Sequence, residues 1–268
     1  MTPNVTRAEV CLLGLGVTDP REIDVRAIAH EVGAAVRIRK LTRCEARIVG
    51  TGDRAIISVS EDSGFQRRRF SIAHELGHWE LHRGRQFECR AFDIDNAENG
   101  PLNPERQADE YAADLLMPWY LFKPRLAQAK HVDLALLEEM HRTFDASLPA
   151  TALRIADANV EPVIVACYDQ SGRRWFKRSK DVPERWFPVD KLDPDTYAAD
   201  VLTGKRDRTH MSAVGANAWF DAEGIGEYEM REQSLRLSDG KVLVILRITE
   251  EAMQVDYGRF GHSTDRSR

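Results

Sequence analysis

The sequence predicts an α+β protein, with a first domain of short strands and helices over residues 1–159 and a β-rich domain over 160–268. Apolar residues recur at helical spacing in several segments of the first part, and β-branched residues cluster in short runs between turn signals. After Val160 the pattern becomes mainly strand-like. The chain has 268 residues, about 43% hydrophobic, which is ample for a buried core.

The first helices are expected over 5–14 and 24–32. In the second, Asp24 suits the N-cap, Ile28, Ala29 and Val32 form an apolar stripe, and Gly33 stands where a left-handed residue ends a helix. Three β-rich runs follow at 35–41, 47–51 and 55–60, and Gly50-Thr51-Gly52-Asp53 between the last two predicts a hairpin. Helical spacing returns over 65–82. A loop rich in Asp, Asn, Gly and Pro is expected at 93–103, and Asn103-Pro104 then supplies an N-cap and first-turn proline for a helix that Pro118 stops. Two short helices at 134–143 and 148–158 are separated by Phe144-Asp145-Ala146-Ser147. Strands are expected at 163–168, 174–177, 228–237 and 242–248.

Composition excludes some classes of function. The formal net charge is −5, so no global electrostatic case exists for binding nucleic acid or an anionic membrane. No apolar run approaches the roughly 18–20 residues that a membrane-crossing helix needs. The short apolar stretch near the N-terminus contains Glu9 and lacks a basic leader, which makes a cytoplasmic location the expectation. Cys11, Cys44, Cys89 and Cys167 are scattered, with no C-x-x-C, and are read as reduced thiols.

The chemistry centres on His74-Glu75-Leu76-Gly77-His78. Two histidines four residues apart on a helix project from one face and can share one metal ion. Glu75 is offset by one residue, where a carboxylate can take a proton from water at that ion. Zinc suits neutral imidazoles, and catalytic sites commonly combine three protein ligands with water. The third ligand must come from elsewhere. His82 lies two turns beyond His74, about 12 Å along a straight helix, and reads as a polar helix-end residue near the dipole. Glu105 is the better candidate, in the first turn of a helix whose Ala108, Ala112 and Ala113 allow close approach; Asp109 is one turn later and could accept a hydrogen bond from a ligand histidine. An acidic first turn that only complements the helix dipole has the same appearance, and spacing alone does not decide between them.

H-E-L-G-H followed by E-x-x-A-D-x-Y-A-A-x-L-L-M-P resembles the ImmA/IrrE family of zinc metallopeptidases, over roughly residues 20–158. The resemblance implies a gluzincin-like small metallopeptidase domain: a short β-sheet, zinc-binding helices and a helix-turn-helix-like end. It implies one Zn2+ per chain held by His74, His78 and Glu105, with Glu75 as general base. The family often has Asn where this chain has Asp109. The resemblance also implies an endopeptidase acting on a protein substrate, a helix-turn-helix transcriptional repressor. Tyr111, Tyr120, His131 and His141 are all candidates to stabilise an oxyanion, with nothing in the sequence to choose among them.

Other segments favour blander readings. The second helix of the pair offers only Arg154 to a polyanion, and Asp133, Glu138, Glu139, Asp145 and Asp157 surround it, so packing is expected rather than DNA reading. Residues 173–180 interleave basic and aromatic side chains and are read as a half-buried strand with a solvated face. Trp186, Phe187, Trp219 and Phe220 are expected in the core of the second domain, which would sense a signal or bind substrate. Gln66-Arg67-Arg68-Arg69 is read as an exposed turn. The competing functional class is a zinc-containing DNA-binding or scaffolding regulator without proteolytic activity; its weakness is the intact Glu75, which metal binding alone does not require.

Overall fold

The computed structural model describes residues 5–42, 44–83 and 103–254. The chain divides into two compact units, Met1–Arg125 with Met140–Ala150, and Leu126–Glu139 with Thr151–Arg268. The division runs through residues 126–151. The loop expected at 93–103 lies outside the described residues apart from Asn103, as does Cys89. Cys11, Cys44 and Cys167 are free thiols.

In the first unit, α1 (Arg7–Gly14) begins with a reciprocal cap: Thr6 accepts the Glu9 N–H while the Glu9 carboxylate accepts the Thr6 N–H. In α2 (Val25–Glu31), Asp24 accepts the N–H groups of Arg26 and Ala27 at 2.9 and 3.2 Å. Gly33 follows at φ 84°, and a Cβ there would lie 2.5 Å from the carbonyl oxygen of Asp53. Gly33→Ala should lower the urea midpoint without changing the slope of the transition. The left-handed conformation alone accounts for about 1–2 kcal/mol. An unchanged midpoint would show that the corner can relax.

Strands β1 (Ala34–Arg39), β2 (Ala46–Thr51) and β3 (Arg54–Ser60) form a sheet in the order β1-β3-β2. The β2–β3 hairpin is antiparallel with Thr51 opposite Arg54, so Gly52-Asp53 make the corner, and Gly52 has φ 62°. β1 runs parallel to β3. Alternation along the strands buries Ala34, Ala46, Ala55, Ile57 and Val59 on one face and exposes Arg37, Arg39, Arg47 and Arg54 on the other.

Two helices carry the chemistry. α3 (Phe65–Leu81) buries Ile72, Ala73 and Leu76, and α4 (Pro104–Leu116) buries Ala108, Ala112 and Leu115. Their close approach depends on Gly77, where a Cβ would lie 2.8 Å from the Cα of Ala108. Trp79 ties α3 to the sheet: its ring lies over Gly50, and its indole N–H donates to the Val32 carbonyl at 2.9 Å. The arginines read as an exposed turn are instead the first turn of α3. Arg67 pairs with Glu45, and Arg69 donates to the Ile23 carbonyl at 2.9 Å. A further helix, α5 (Trp119–Leu126), escapes the sequence pattern because Pro124 inside it reads as a breaker.

Helices α6 (Leu134–Phe144) and α7 (Leu148–Ala158) form the anticipated pair. Asp145 turns the chain with φ 49°, and Ser147 accepts the Ala150 N–H at 3.3 Å. Arg154, the one basic residue of α7, is 7% exposed, which fits packing better than reading DNA.

The second unit contains a five-stranded antiparallel sheet in the order β5-β4-β8-β7-β6. β4 (Val163–Asp169), β5 (Gly172–Arg178), β7 (Glu229–Arg236) and β8 (Val242–Arg247) match the expected strands; α8 (Tyr197–Leu202) and β6 (Ser212–Gly215) were not anticipated. α8 is organised from a distance. Buried Glu232 on β7 accepts the N–H groups of Tyr197 and Ala198 at 3.2 and 2.6 Å and the Trp219 indole N–H at 3.0 Å. On β5, Arg174 pairs with Asp169 and Lys177 with Asp157, as a half-buried strand with a charged face requires. Trp186, Trp219 and Phe220 are in the core, but Phe187 is 55% exposed. It meets Phe176 edge-on at 4.6 Å, with the Arg173 guanidinium over its ring. Among the described residues, no helix is long and apolar enough to cross a membrane.

Candidate metal centre

His74 and His78 stand one turn apart on α3, and Glu105 stands in the first turn of α4. Asn103 fixes that turn by accepting the Glu105 N–H at 3.0 Å, and Pro104 presets the backbone. The Nε2 atoms of the two histidines lie 3.1 Å apart. The Glu105 carboxylate spans them, with one oxygen 3.2 Å from His74 Nε2 and the other 3.3 Å from His78 Nε2. Ligand atoms about 2.0–2.2 Å from a tetrahedral ion are separated from one another by about 3.3–3.6 Å. The separations here, 3.1, 3.2 and 3.3 Å, lie within about 0.2 Å of that range, and two imidazoles with a carboxylate are a zinc-type donor set. Hydrogen bonding from His74 and then His78 holds the Glu105 carboxyl well below the usual range, so it is ionised as a ligand must be.

Glu75 is different in kind. It is 1% exposed, and neither carboxylate oxygen has a hydrogen-bond partner among the described residues. Burial pushes its pKa up from 4.5 to about 7, His74 pulls it down, and Glu105 pushes it up again. A buried carboxylate without partners is costly for folding, and a value near neutrality suits a group that exchanges protons at physiological pH.

Asp109 stands on α4 one turn beyond Glu105, and His74 Nδ1–H donates to its carboxylate at 2.8 Å. The geometry thus brings together His74, His78, Glu105, Glu75 and Asp109. The candidate oxyanion donors each have another partner. The Tyr120 hydroxyl donates to the Val17 carbonyl at 2.8 Å, Tyr111 pairs with Cys11, and His131 meets Glu161 in the second unit. His141 Nδ1–H donates to the Ala146 carbonyl at 2.5 Å.

Sequence reasoning missed two contributors. His82, read as a polar helix-end residue, is 8% exposed; its Nδ1 lies 3.3 Å from His78 Nδ1, and its Nε2 lies 2.8 Å from the side-chain oxygen of Gln107. Spacing offered a signal, since His82 follows His78 by one turn just as His78 follows His74. Gln107 offered none.

Two histidines on one helix, a carboxylate from a facing helix and a buried glutamate beside the first histidine make a candidate H-E-x-x-H metal centre in a small α+β domain. The family model described as the IrrE N-terminal-like domain, Peptidase M78, matches residues 23–156, and the chain belongs to this family. Among solved structures, a transcriptional regulator of Mycobacterium tuberculosis is similar with a TM-score of 0.61 and 13% identity, over 96% of this chain and 78% of that one. At that identity the likeness is one of fold. No curated protein matches the chain.

Proposed function

We propose that the chain is a zinc-dependent endopeptidase with a gluzincin-like site, hydrolysing a peptide bond in a helix-turn-helix transcriptional repressor. The observation that carries the hydrolytic reading is Glu75, buried and without a hydrogen-bond partner among the described residues, beside a converging His/His/Glu donor set. A metal site needed only for structure has no use for that carboxylate. His74, His78 and Glu105 would hold the ion, whose Lewis acidity lowers the pKa of water and polarises a carbonyl oxygen. Glu75 accepts the proton of the attacking water at its carboxylate and passes it to the leaving amine. Asp109 holds the His74 ring in orientation. The peptidase domain would run to residue 159, leaving 160–268 to recognise substrate or a signal. Family membership supports the peptidase class, and the name of the Mycobacterium tuberculosis neighbour is compatible with a partner in transcription.

That neighbour's name also favours a second reading, a zinc-containing DNA-binding or scaffolding regulator without proteolytic activity. Burial of Arg154 and the ion pairs along β5 weigh against direct DNA binding.

Elemental analysis tests the donor set. Wild type should carry one zinc per chain, and His78→Ala and Glu105→Ala should each lose it while keeping the wild-type circular dichroism spectrum. Zinc retained in Glu105→Ala would remove that residue from the ligand set. Incubation of the zinc-loaded wild type with helix-turn-helix repressors should yield a specific cut; intact repressors alongside duplex-DNA binding would establish the regulator instead.

A further inference from the structure

We infer that the solvent face of the first sheet is a docking surface for an acidic protein segment that carries aliphatic side chains between its carboxylates. The inference does not depend on the metal centre.

The register of the three strands sets out the surface. On the face away from α3, Arg37 of β1 and Arg47 of β2 both stand opposite Ser58 of β3. Two residues along, Ala35 and Val49 both stand opposite Ile56. Arg54 lies beyond that row, opposite Thr51, and Arg39 lies beyond Arg37 at the other end, where it donates to the Ser58 hydroxyl. An apolar row therefore crosses the sheet with arginines on both sides of it. Successive rows are about 6.5–7 Å apart, and Arg37 and Arg47, two strands apart, are separated by about 9.5 Å at their backbones. Val49 is 65% and Ile56 37% exposed, so the row is open to solvent.

The charge on this face has one sign. β1, β2 and β3 contain no Asp or Glu, and alternation directs all four of their basic side chains to the same side. Among the described residues, none of Arg37, Arg47 and Arg54 is paired with a carboxylate. The whole chain carries −5, so this positive surface runs against the overall balance. Arginines on β1 and β2 would also guard the sheet edges against pairing. That role requires neither Arg54 on the central strand nor Val49 and Ile56 exposed beside it.

Guanidinium groups pair with carboxylates in a two-pronged geometry, and arginine is enriched at protein interfaces. A partner with carboxylates for the arginines and aliphatic side chains for the row between them complements the whole face. Nucleic acid complements only half of it. The outward positions include no aromatic side chain on which a base could stack, and phosphates gain nothing from Val49 and Ile56. Trp79 of α3 packs against Gly50 on the opposite face, so the sheet stands between an occupant and the ligand helix.

The test measures fluorescence anisotropy of labelled peptides with the full chain. One peptide alternates Glu and Val, a second alternates Glu and Ser, and an oligothymidine of equal charge is the third probe. The Glu–Val peptide should bind wild type about tenfold or more tightly than the other two, and more weakly as added salt screens the charges. The double variants Arg37→Glu/Arg47→Glu and Val49→Ser/Ile56→Ser should each lose about tenfold or more, whereas Arg174→Gln in the second unit should match wild type. Arg37→Glu/Arg47→Glu should also bind a Lys–Val peptide about tenfold more tightly than wild type does, a gain that loss of folding cannot produce. No binding of the Glu–Val peptide, binding that the face variants leave unchanged, or tighter binding of the oligothymidine overturns the inference. So does a concentration-dependent dimer in analytical ultracentrifugation that Arg37→Glu/Arg47→Glu abolishes, because the occupant would then be a second copy of this chain.

Discussion

Glu75→Gln is expected to retain bound zinc while slowing peptide-bond cleavage by about two to four orders of magnitude, the usual contribution of a positioned general base. Zinc retention follows because Glu75 is outside the convergent donor set of His74, His78 and Glu105. The same substitution should change how the metal-free protein responds to pH. Glu75 titrates at about 7 in the folded chain against an ordinary 4.5, so folding favours its protonated form. That contribution is complete below pH 4.5 and disappears as pH rises through 7. Relative to Glu75→Gln, metal-free wild type should therefore lose on the order of 3 kcal/mol between those limits. Denaturant melts of both proteins at several pH values measure the difference directly. A constant gap would mean the carboxylate is stabilised by something outside the described residues, and cleavage at the wild-type rate would exclude Glu75 as the base.

Gly77→Ala should be the most damaging single-methyl change in the helix pair. Two effects oppose each other. Alanine favours the helix over glycine by about 1 kcal/mol, but the added Cβ would meet the Cα of Ala108 at 2.8 Å and its carbonyl oxygen at 3.0 Å. Both are backbone atoms, so relief requires moving α4 as a body, and overpacking of this kind costs about 1–3 kcal/mol. Overpacking wins. Because α4 carries Glu105, the displacement should also weaken zinc binding by at least tenfold. Wild-type affinity with a raised melting temperature would show that the helices have slack between them.

The ligand helix and its partner were legible because their signals are local. The i, i+4 histidines need only a helix, and Asn103-Pro104 announces where the next one starts. The β2–β3 hairpin was equally legible from Gly52-Asp53. What escaped was organised by residues distant in sequence. α8 depends on Glu232 more than 30 positions away, and Phe187 looks like core in the sequence yet stays more than half exposed beside Phe176 and Arg173. His82 was dismissed for a sound reason, its distance from His74 along the helix axis. That reasoning asked whether it could touch the ion, not whether it could touch a ligand.

Glu105, Gln107 and Asp109 all belong to one helix, and Gln107 and Asp109 flank Ala108 where α4 rests against Gly77. A helix turns by about 100° per residue. A slip of α4 by a single position would withdraw Glu105 from both histidines and Asp109 from His74 in the same movement. The surroundings of His74 and His78 that α4 supplies therefore stand or fall together. The centre's integrity is a property of helix register, and a short insertion or deletion just before Pro104 would be buffered only as far as the preceding chain can absorb it without turning that helix.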